Sequence, residues 1–330
     1  MSNESSFTMV KERERSPIAT LLLNNQWVIL LVLTAAIAIT TGAINGRFWS
    51  IANISSLFQQ ITVLGLVAAG ATILIISGNF DISVDGYVGL AVCIMPMLMN
   101  AGWSPVLAVV VGILVCVAAS TFNGLMSVWF NAPSFIVSLA TLGVFLGISL
   151  LLTDGLIQTA FGRFTGLIGA SVGPIPAIFM VTLTAYVLVY LLLTKTKLGR
   201  RVYAIGNNRD VAFRSGIAVK RNLLIFFAIN GLLVGVASWL LLARVGGGLP
   251  STGTGLAIMA IGAVVIGGAP ITGGSGSVIG TFFGVLLLGV IANSLNILNV
   301  SPYIQEIAQG VLILLAIGIS ALRVKLGGRQ

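Results

Sequence analysis

Residues 195–221 read KTKLGRRVYAIGNNRDVAFRSGIAVKR, and this stretch decides how the rest of the chain is laid out. It carries eight Lys and Arg against one acid, Asp210, in a 330-residue chain of which only 8% is charged. Apolar runs long enough to cross a bilayer flank it on both sides. A basic block between spans is held in the cytoplasm by the positive-inside rule. It is also too long and too charged for a plain turn, which predicts that a partner docks on it.

Composition agrees. Hydrophobic residues make up 57% of the chain, and the charged share falls far below the roughly 25% usual in soluble domains. A soluble core of this size could not hide that much apolar surface, so the chain belongs in lipid. Its 40 glycines suit helices that pack through small residues. The net charge of +9 comes from residues at span ends, without interleaved aromatics. It reads as topogenic charge and not as a nucleic-acid surface. Cys93 and Cys116 fall inside apolar runs and read as packing residues, not as a disulfide or metal pair. There is no His, hence neither the commonest general base nor the commonest metal ligand, which argues against an enzyme and against a bound metal or cofactor.

The expected fold is all-α and polytopic, with ten spans near 27–44, 55–77, 82–101, 104–130, 134–153, 174–194, 222–243, 254–270, 275–296 and 303–322. Residues 1–26 and 323–330 are then tails around one transmembrane domain, 27–322, and no signal peptide is read at the N-terminus. Six spans precede the basic block and four follow it, so both termini and the block share one side. With that side cytoplasmic, fourteen of the seventeen basic residues lie inside, and Arg47, Arg163 and Arg244 lie outside. That partition is the one the positive-inside rule demands. Residues 156–171 are apolar but short and Gly-broken, and read as a periplasmic excursion or half-helix.

Two stretches break the apolar pattern, GNFDISVDG at 78–86 and the Gly- and Pro-interrupted 253–280. Broken backbone at membrane depth is tolerated only inside protein or against a wet cavity. One break in each half fits an internal duplication with a pathway at the junction. Charge in a membrane costs about 2.5–3.5 kcal/mol on insertion scales and marks function by default. Asp81 and Asp85, four apart, therefore read either as a substrate or gating site on one helical face, or as carboxylates capping the third span. Asn79 adjoins them. Asn123, Asn293, Asn296 and Gln305 are neutral amides in or beside spans; they suit a polyhydroxylated ligand, or else hydrogen-bond one helix to the next. The chain has no GxxxxGK[ST] and no GGAPITGGSGSVIG lysine, so it does not cradle nucleotide phosphate in that manner.

Four segments resemble one family, the membrane permease subunits of ribose-type ABC importers for monosaccharides. They are GNFDISVDG at 78–86; FNG at 122–124 with APSFIVSLATLG at 132–143; LGRRVYAIGNNRDVAFRSGI at 198–217; and VVIGGAPITGGSGSVIGT at 264–281 with NSLN at 293–296 and YIQEIAQG at 303–310. The resemblance runs from about residue 45 to 322. It implies a permease of about ten helices in the bacterial inner membrane, paired with a second copy or a paralogue. It further implies cytoplasmic ATP-binding subunits, a periplasmic sugar-binding protein and a small sugar as substrate. In that arrangement 195–221 is the loop that couples to the ATPase, with Arg200, Arg201, Tyr203, Gly206, Asn207, Arg209 and Arg214 as its candidate residues. Arg200, Arg201 and Arg209 are expected to help seat the ATPase, because guanidinium groups make directional bonds. The candidate pathway residues are Asn79, Asp81, Asp85, Asn123, Asn293 and Asn296. The chain departs from the family pattern at Asn79, Phe80 and Asp85, where Gly, Ile and Gly are usual, and in GLAIMAIGA at 255–263, which lacks the family's acid. The alternatives are a branched-chain amino-acid-type permease and an ion-coupled carrier, and the latter lacks an intramembrane ion relay beyond Asp81 and Asp85.

Overall fold

The computed structural model describes residues 26–327. Lys11, Arg13, Arg15 and Arg329, assigned above to the tails, lie outside the described residues. In chain order the helices are α1 (Gln26–Ile44), α2 (Ile51–Ile76), α3 (Val84–Asn100), α4 (Pro105–Trp129), α5 (Ser134–Thr153), α6 (Thr165–Gly169), α7 (Ala177–Lys195), α8 (Lys197–Asn207), α9 (Arg209–Arg214), α10 (Val219–Val245), α11 (Leu256–Ile266), α12 (Val278–Ile297) and α13 (Pro302–Gly327). A 3-10 turn at Gly46–Trp49 and four two-residue strands complete the described elements: β1 (Gln158–Thr159), β2 (Ser171–Val172), β3 (Ile175–Pro176) and β4 (Gly247–Gly248). A helix stands at each of the ten places where a span was expected. Seven are long and apolar enough to cross a bilayer: α1, α2, α4, α5, α7, α10 and α12. The last helix, α13, runs on to Gly327, so residues 323–327 continue the helix where a tail was expected.

Local chemistry sets the helix starts. Ser104 accepts from the N–H of Leu107, with Pro105 at the first helical position of α4. Ser277 likewise accepts from Gly280 at the start of α12. A side-chain oxygen at this position satisfies one of the orphan N–H groups of the first turn. In α2 every residue from Ile61 to Ile76 is buried except Ala71. A helix apolar on all sides is central by necessity, and α10, α11, α12 and α7 pack around α2. By contrast α4 and α5 expose Val110, Leu114, Leu139 and Leu151, as a lipid-facing surface would. Along α10, Gly231 and Gly235 sit four apart against α4. A Cβ at Gly231 would lie 2.6 Å from the Cys116 carbonyl oxygen, so only Gly allows the two backbones this close.

Both expected breaks are present, and one differs from its expected form. The span anticipated at 254–270 is helical only over Leu256–Ile266. Eleven residues rise about 16 Å, half of a hydrocarbon core of about 30 Å. The missing half is non-helical. Residues 247–255 run back beside α3, with Gly248 against Val92 and Gly253 against Val88 and Asp85. The reason is compositional: VGGGLPSTGTG offers five glycines and a proline where a helix would need side chains and N–H donors. Gly247, Gly248, Pro250 and Gly253 of this stretch are buried in protein, a setting where irregular chain is tolerated at this depth.

Residues 154–176 stay at the end of the bundle away from the basic block. There β1 pairs antiparallel with β4, Ala160 donates to the Gly246 carbonyl, and Asn100 donates to the Thr159 carbonyl. Strands β2 and β3 form a small hairpin beside the five-residue α6. Arg47, Arg163 and Arg244 belong to this end, and the residues of 195–221 to the other.

Candidate functional site

The basic block is not a loose loop. It folds into α8 and α9, each started by a side-chain cap. Thr196 accepts from Gly199, and Asn208 accepts from Asp210 and Val211. Helix α8 buries Val202 and Ile205 against the bundle and lies directly beneath both breaks. A Cβ at Gly206 would collide with the Ile76 carbonyl oxygen and stand 2.7 Å from the Gly274 nitrogen. Gly274 itself donates to that same carbonyl at 2.8 Å, and Asn207 packs against Gly274. The Tyr203 hydroxyl donates to the Gly276 carbonyl at 3.2 Å. Burial raises the Tyr203 phenol above its usual range.

The arginines divide. Arg200 and Arg214 are exposed, and α9 also presents Val211 and Phe213 outward, 58% and 70% exposed. Arg201 reaches only to Asn222, at 3.5 Å. Arg209 turns its guanidinium inward, donating to the Asn79 side-chain oxygen at 2.7 Å and to the Gly78 carbonyl at 3.2 Å. Four residues of the block, Tyr203, Gly206, Asn207 and Arg209, thus touch the membrane breaks themselves.

Asp81 and Asp85 do not share a helical face, as their spacing suggested. Helix α3 starts at Val84, so Asp81 lies in the preceding turn, and the helix's own cap position is Ser83. Asp85 is in the first turn of α3, but its oxygens serve another helix. They accept from Gly255, the cap residue of α11, at 2.7 Å and from Ala257 in its first turn at 2.8 Å. The carboxylate therefore caps the half-helix across the bundle, where the dipole favours negative charge.

Asp81 is 6% exposed and is met by five neutral donors. Ser83 (2.7 Å) and Asn123 (3.1 Å) donate to Oδ1; Tyr87 (3.1 Å), Ser120 (3.1 Å) and Asn230 (3.2 Å) donate to Oδ2. Asn123 also donates to Ser83 and accepts from Thr141 at 2.6 Å. One carboxylate thereby ties the 78–86 break to α3, α4 and α10, and Asn123 extends the network to Thr141 of α5. With these bonds made, Asp81 and Asn123 keep little hydrogen-bonding capacity for a ligand in this conformation. A cavity of only about 10 Å³ adjoins Asp81 and Asn230.

The other amides lie elsewhere. Asn293 forms a reciprocal pair with Asn53 of α2, at 2.8 and 3.1 Å, which is an interhelical contact. Asn296 is exposed near the end of α12, and Gln305 donates to the Val300 carbonyl. Of the candidates, the structure joins Asp81 and Asn123 by a hydrogen bond, gives Asn79 and Asp85 other partners, and leaves Asn293 and Asn296 apart from them. Sequence reading missed Asn230, although an amide in the middle of the apolar run LLIFFAINGLLVG meets the same criterion as Asn123. Tyr87 and Ser120 gave no comparable signal, being ordinary residues in apolar helices.

Comparison with known proteins adds the family. Residues 53–317 match the model of the branched-chain amino acid transport system / permease component family. The ribose import permease protein of Bacillus subtilis is 37% identical over 85% of this chain and 88% of its own length. The D-allose transport system permease protein of Escherichia coli is 33% identical over 94% and 95%. The autoinducer 2 import system permease protein of Photorhabdus laumondii is 30% identical over 89% of each. No solved structure matches the chain. With seven long apolar helices in place, the chain is a multi-pass membrane protein and a transport subunit, not an enzyme. It belongs to the branched-chain amino acid transport system / permease component family of ABC importers.

Proposed function

We propose that the chain is the membrane-spanning subunit of an ATP-driven importer for a monosaccharide, in the bacterial inner membrane, with residues 27–322 forming a single permease domain. The family takes its name from amino acids, but two of the relatives carry ribose and allose in their names, and these favour a sugar. The end bearing 195–221 faces the cytoplasm, because eight basic residues gather there. ATP-binding subunits dock on the outward face of α8 and α9 through Arg200, Arg214, Val211 and Phe213. A periplasmic sugar-binding protein delivers substrate to the opposite end, and a second permease copy or a paralogue completes the membrane unit.

The observation that carries this reading is the seating of α8 under both breaks. A push on α8 from a docked ATPase reaches Ile76 and Gly274 through Gly206, Asn79 through Arg209, and Gly276 through Tyr203. These points lie at the end of α2 and in the non-helical stretches beside it, where the membrane backbone can change course. Alternating access follows when nucleotide binding shifts α8, opening the pathway on one side as it closes on the other.

The test is reconstitution with cognate ATP-binding subunits and binding protein, followed by uptake of labelled ribose, allose and leucine. ATP-dependent uptake of a sugar is expected. Uptake of leucine alone would favour the amino-acid reading, and uptake driven by an ion gradient without ATP would favour a secondary carrier.

A further inference from the structure

We infer that the groove between α7 and α10 is a site for one acidic phospholipid of the inner leaflet, its acyl chain in the groove and its phosphate on Lys197 and Arg201. The choice of leaflet rests on the orientation proposed above, and the chemistry of the site does not depend on what the chain transports. Helices α7 and α10 both pack on α2 and leave a groove of about 630 Å³ between them, with Leu66 of α2 at its floor. Its walls run along α7 from Met180 to Leu192 and along α10 from Ile229 to Val236. Twelve residues of helix rise about 18 Å, a little more than one leaflet of a hydrocarbon core of about 30 Å. The cytoplasmic end of the groove, Leu192, is one turn short of Lys195, where α7 stops. The lining is apolar except for Thr184, and that hydroxyl already donates to the Met180 carbonyl at 2.9 Å. Such a surface offers nothing to a polar solute and suits a hydrocarbon chain.

Charge gathers where the groove ends. Helix α8 follows α7 after the single residue Thr196, and Lys197 and Arg201 stand one turn apart on it, on a shared flank. The bond from Arg201 to Asn222 of α10 shows that this flank faces α10, so the pair stands where the groove meets the cytoplasm. Both side chains are exposed. The Arg201 bond, at 3.5 Å, is at the limit of hydrogen bonding and leaves the guanidinium free to donate elsewhere. The one acid of the block, Asp210, is on α9. Two cations above an apolar strip of leaflet length match an acidic phospholipid in both its parts. Phosphate oxygens accept from guanidinium and ammonium groups, and basic pockets between helices on the cytoplasmic side recognise such headgroups. A zwitterionic lipid would bring its own cation against Lys197. Arg201, expected from the sequence to seat the ATPase, is thereby assigned to the lipid, which holds the start of α8 against α10.

The test uses the full chain in detergent, supplied with phosphatidylglycerol or phosphatidylcholine that carries a photoreactive group on its acyl chain. Crosslinks should map to peptides of α7 and α10, with phosphatidylglycerol exceeding phosphatidylcholine at least fivefold. Lys197→Gln with Arg201→Gln should cut the phosphatidylglycerol crosslink at least fivefold, while Lys197→Arg retains it. Arg200→Gln with Arg214→Gln removes the same charge from the outward face and should leave the crosslink unchanged. Thr184→Phe fills the groove, spares both cations, and should also abolish it. Should the Lys197 and Arg201 double variant not elute as monodisperse protein, Lys197→Gln alone and Thr184→Phe decide the matter. Equal crosslinking of the two lipids would overturn the inference, and so would a phosphatidylglycerol crosslink that survives either the double change or Thr184→Phe. Equal loss in the Arg200 and Arg214 pair would overturn it too, by reducing the effect to net charge. No solute uptake enters the assay, so a failure here and a failure of the importer reading are told apart.

Discussion

The Asp85 carboxylate accepts a hydrogen bond from the backbone N–H of Ala257 at 2.8 Å, so an acid on α3 holds the first turn of α11, 172 residues further along the chain. Gly255, with φ of 86°, turns the chain so that its own N–H meets the other oxygen. The half-helix thus starts where a neighbour's side chain completes it. Replacing Asp85 with Ala should lower stability by about 1 kcal/mol, the usual cost of losing such a cap. Replacement with Asn should cost less, because the amide oxygen still accepts. Thermal unfolding in detergent reads the difference, and equal midpoints for Asp85→Ala and the parent would show that the cap is idle.

Asp81 predicts a larger effect. Asp81→Leu removes the acceptor for five buried donors, and a buried group left unsatisfied costs about 1–3 kcal/mol. The sum should exceed about 3 kcal/mol and abolish recovery of monodisperse protein. Ser120→Ala, which removes one donor, should cost about 1 kcal/mol and leave the protein folded. Normal recovery of Asp81→Leu would mean that the cluster does not anchor the break.

Gly206 and Gly143 make a matched pair. A Cβ at Gly206 runs into the Ile76 carbonyl, and one at Gly143 meets nothing within 4 Å. Gly206→Ala should therefore lift α8 off the breaks and reduce ATP-dependent uptake at least tenfold while membrane insertion persists. Gly143→Ala should leave uptake unchanged. Wild-type uptake by Gly206→Ala would separate α8 from transport.

The arginines should separate in the same assay. Arg200→Gln with Arg214→Gln should weaken co-purification of the ATPase, because both side chains face outward. Arg209→Gln should leave co-purification near normal yet lower uptake, because its guanidinium is committed to Gly78 and Asn79. Loss of ATPase binding on changing Arg209 alone would return it to the docking surface.

Orientation has its own check. Reporter fusions after Arg221 should read cytoplasmic, and a fusion near Arg163 periplasmic, since residues 154–176 stay at the end opposite the basic block. A cytoplasmic signal at residue 163 would invert or break the ten-span arrangement.

Much of this protein is determined by its sequence alone. Apolar runs of bilayer length must become helices in lipid, because no water is there to satisfy their backbone groups. Basic residues choose a side, and Gly and Pro mark where helices fail, so the spans, the two breaks and the special standing of 195–221 were all legible. The coarse positions of Asp81 and Asp85 were legible too, as charges in an apolar field. Their partners were not. Hydrogen bonds from Asn230 to Asp81, and from the α11 backbone to Asp85, join residues about 150 and 170 positions apart. No local periodicity encodes a contact of that separation. Spacing alone put the two acids on one helical face, and tertiary packing put one in a saturated hub and the other on a foreign helix end. Asn293 likewise had two readings until α2 brought Asn53 opposite it. Arg209 differs from Arg200 and Arg214 only in what lies beneath it, a carbonyl and an amide that the fold delivers from the 78–86 break. The residue type states what bonds a group can make, but only the packed helices decide which partner is within 3 Å.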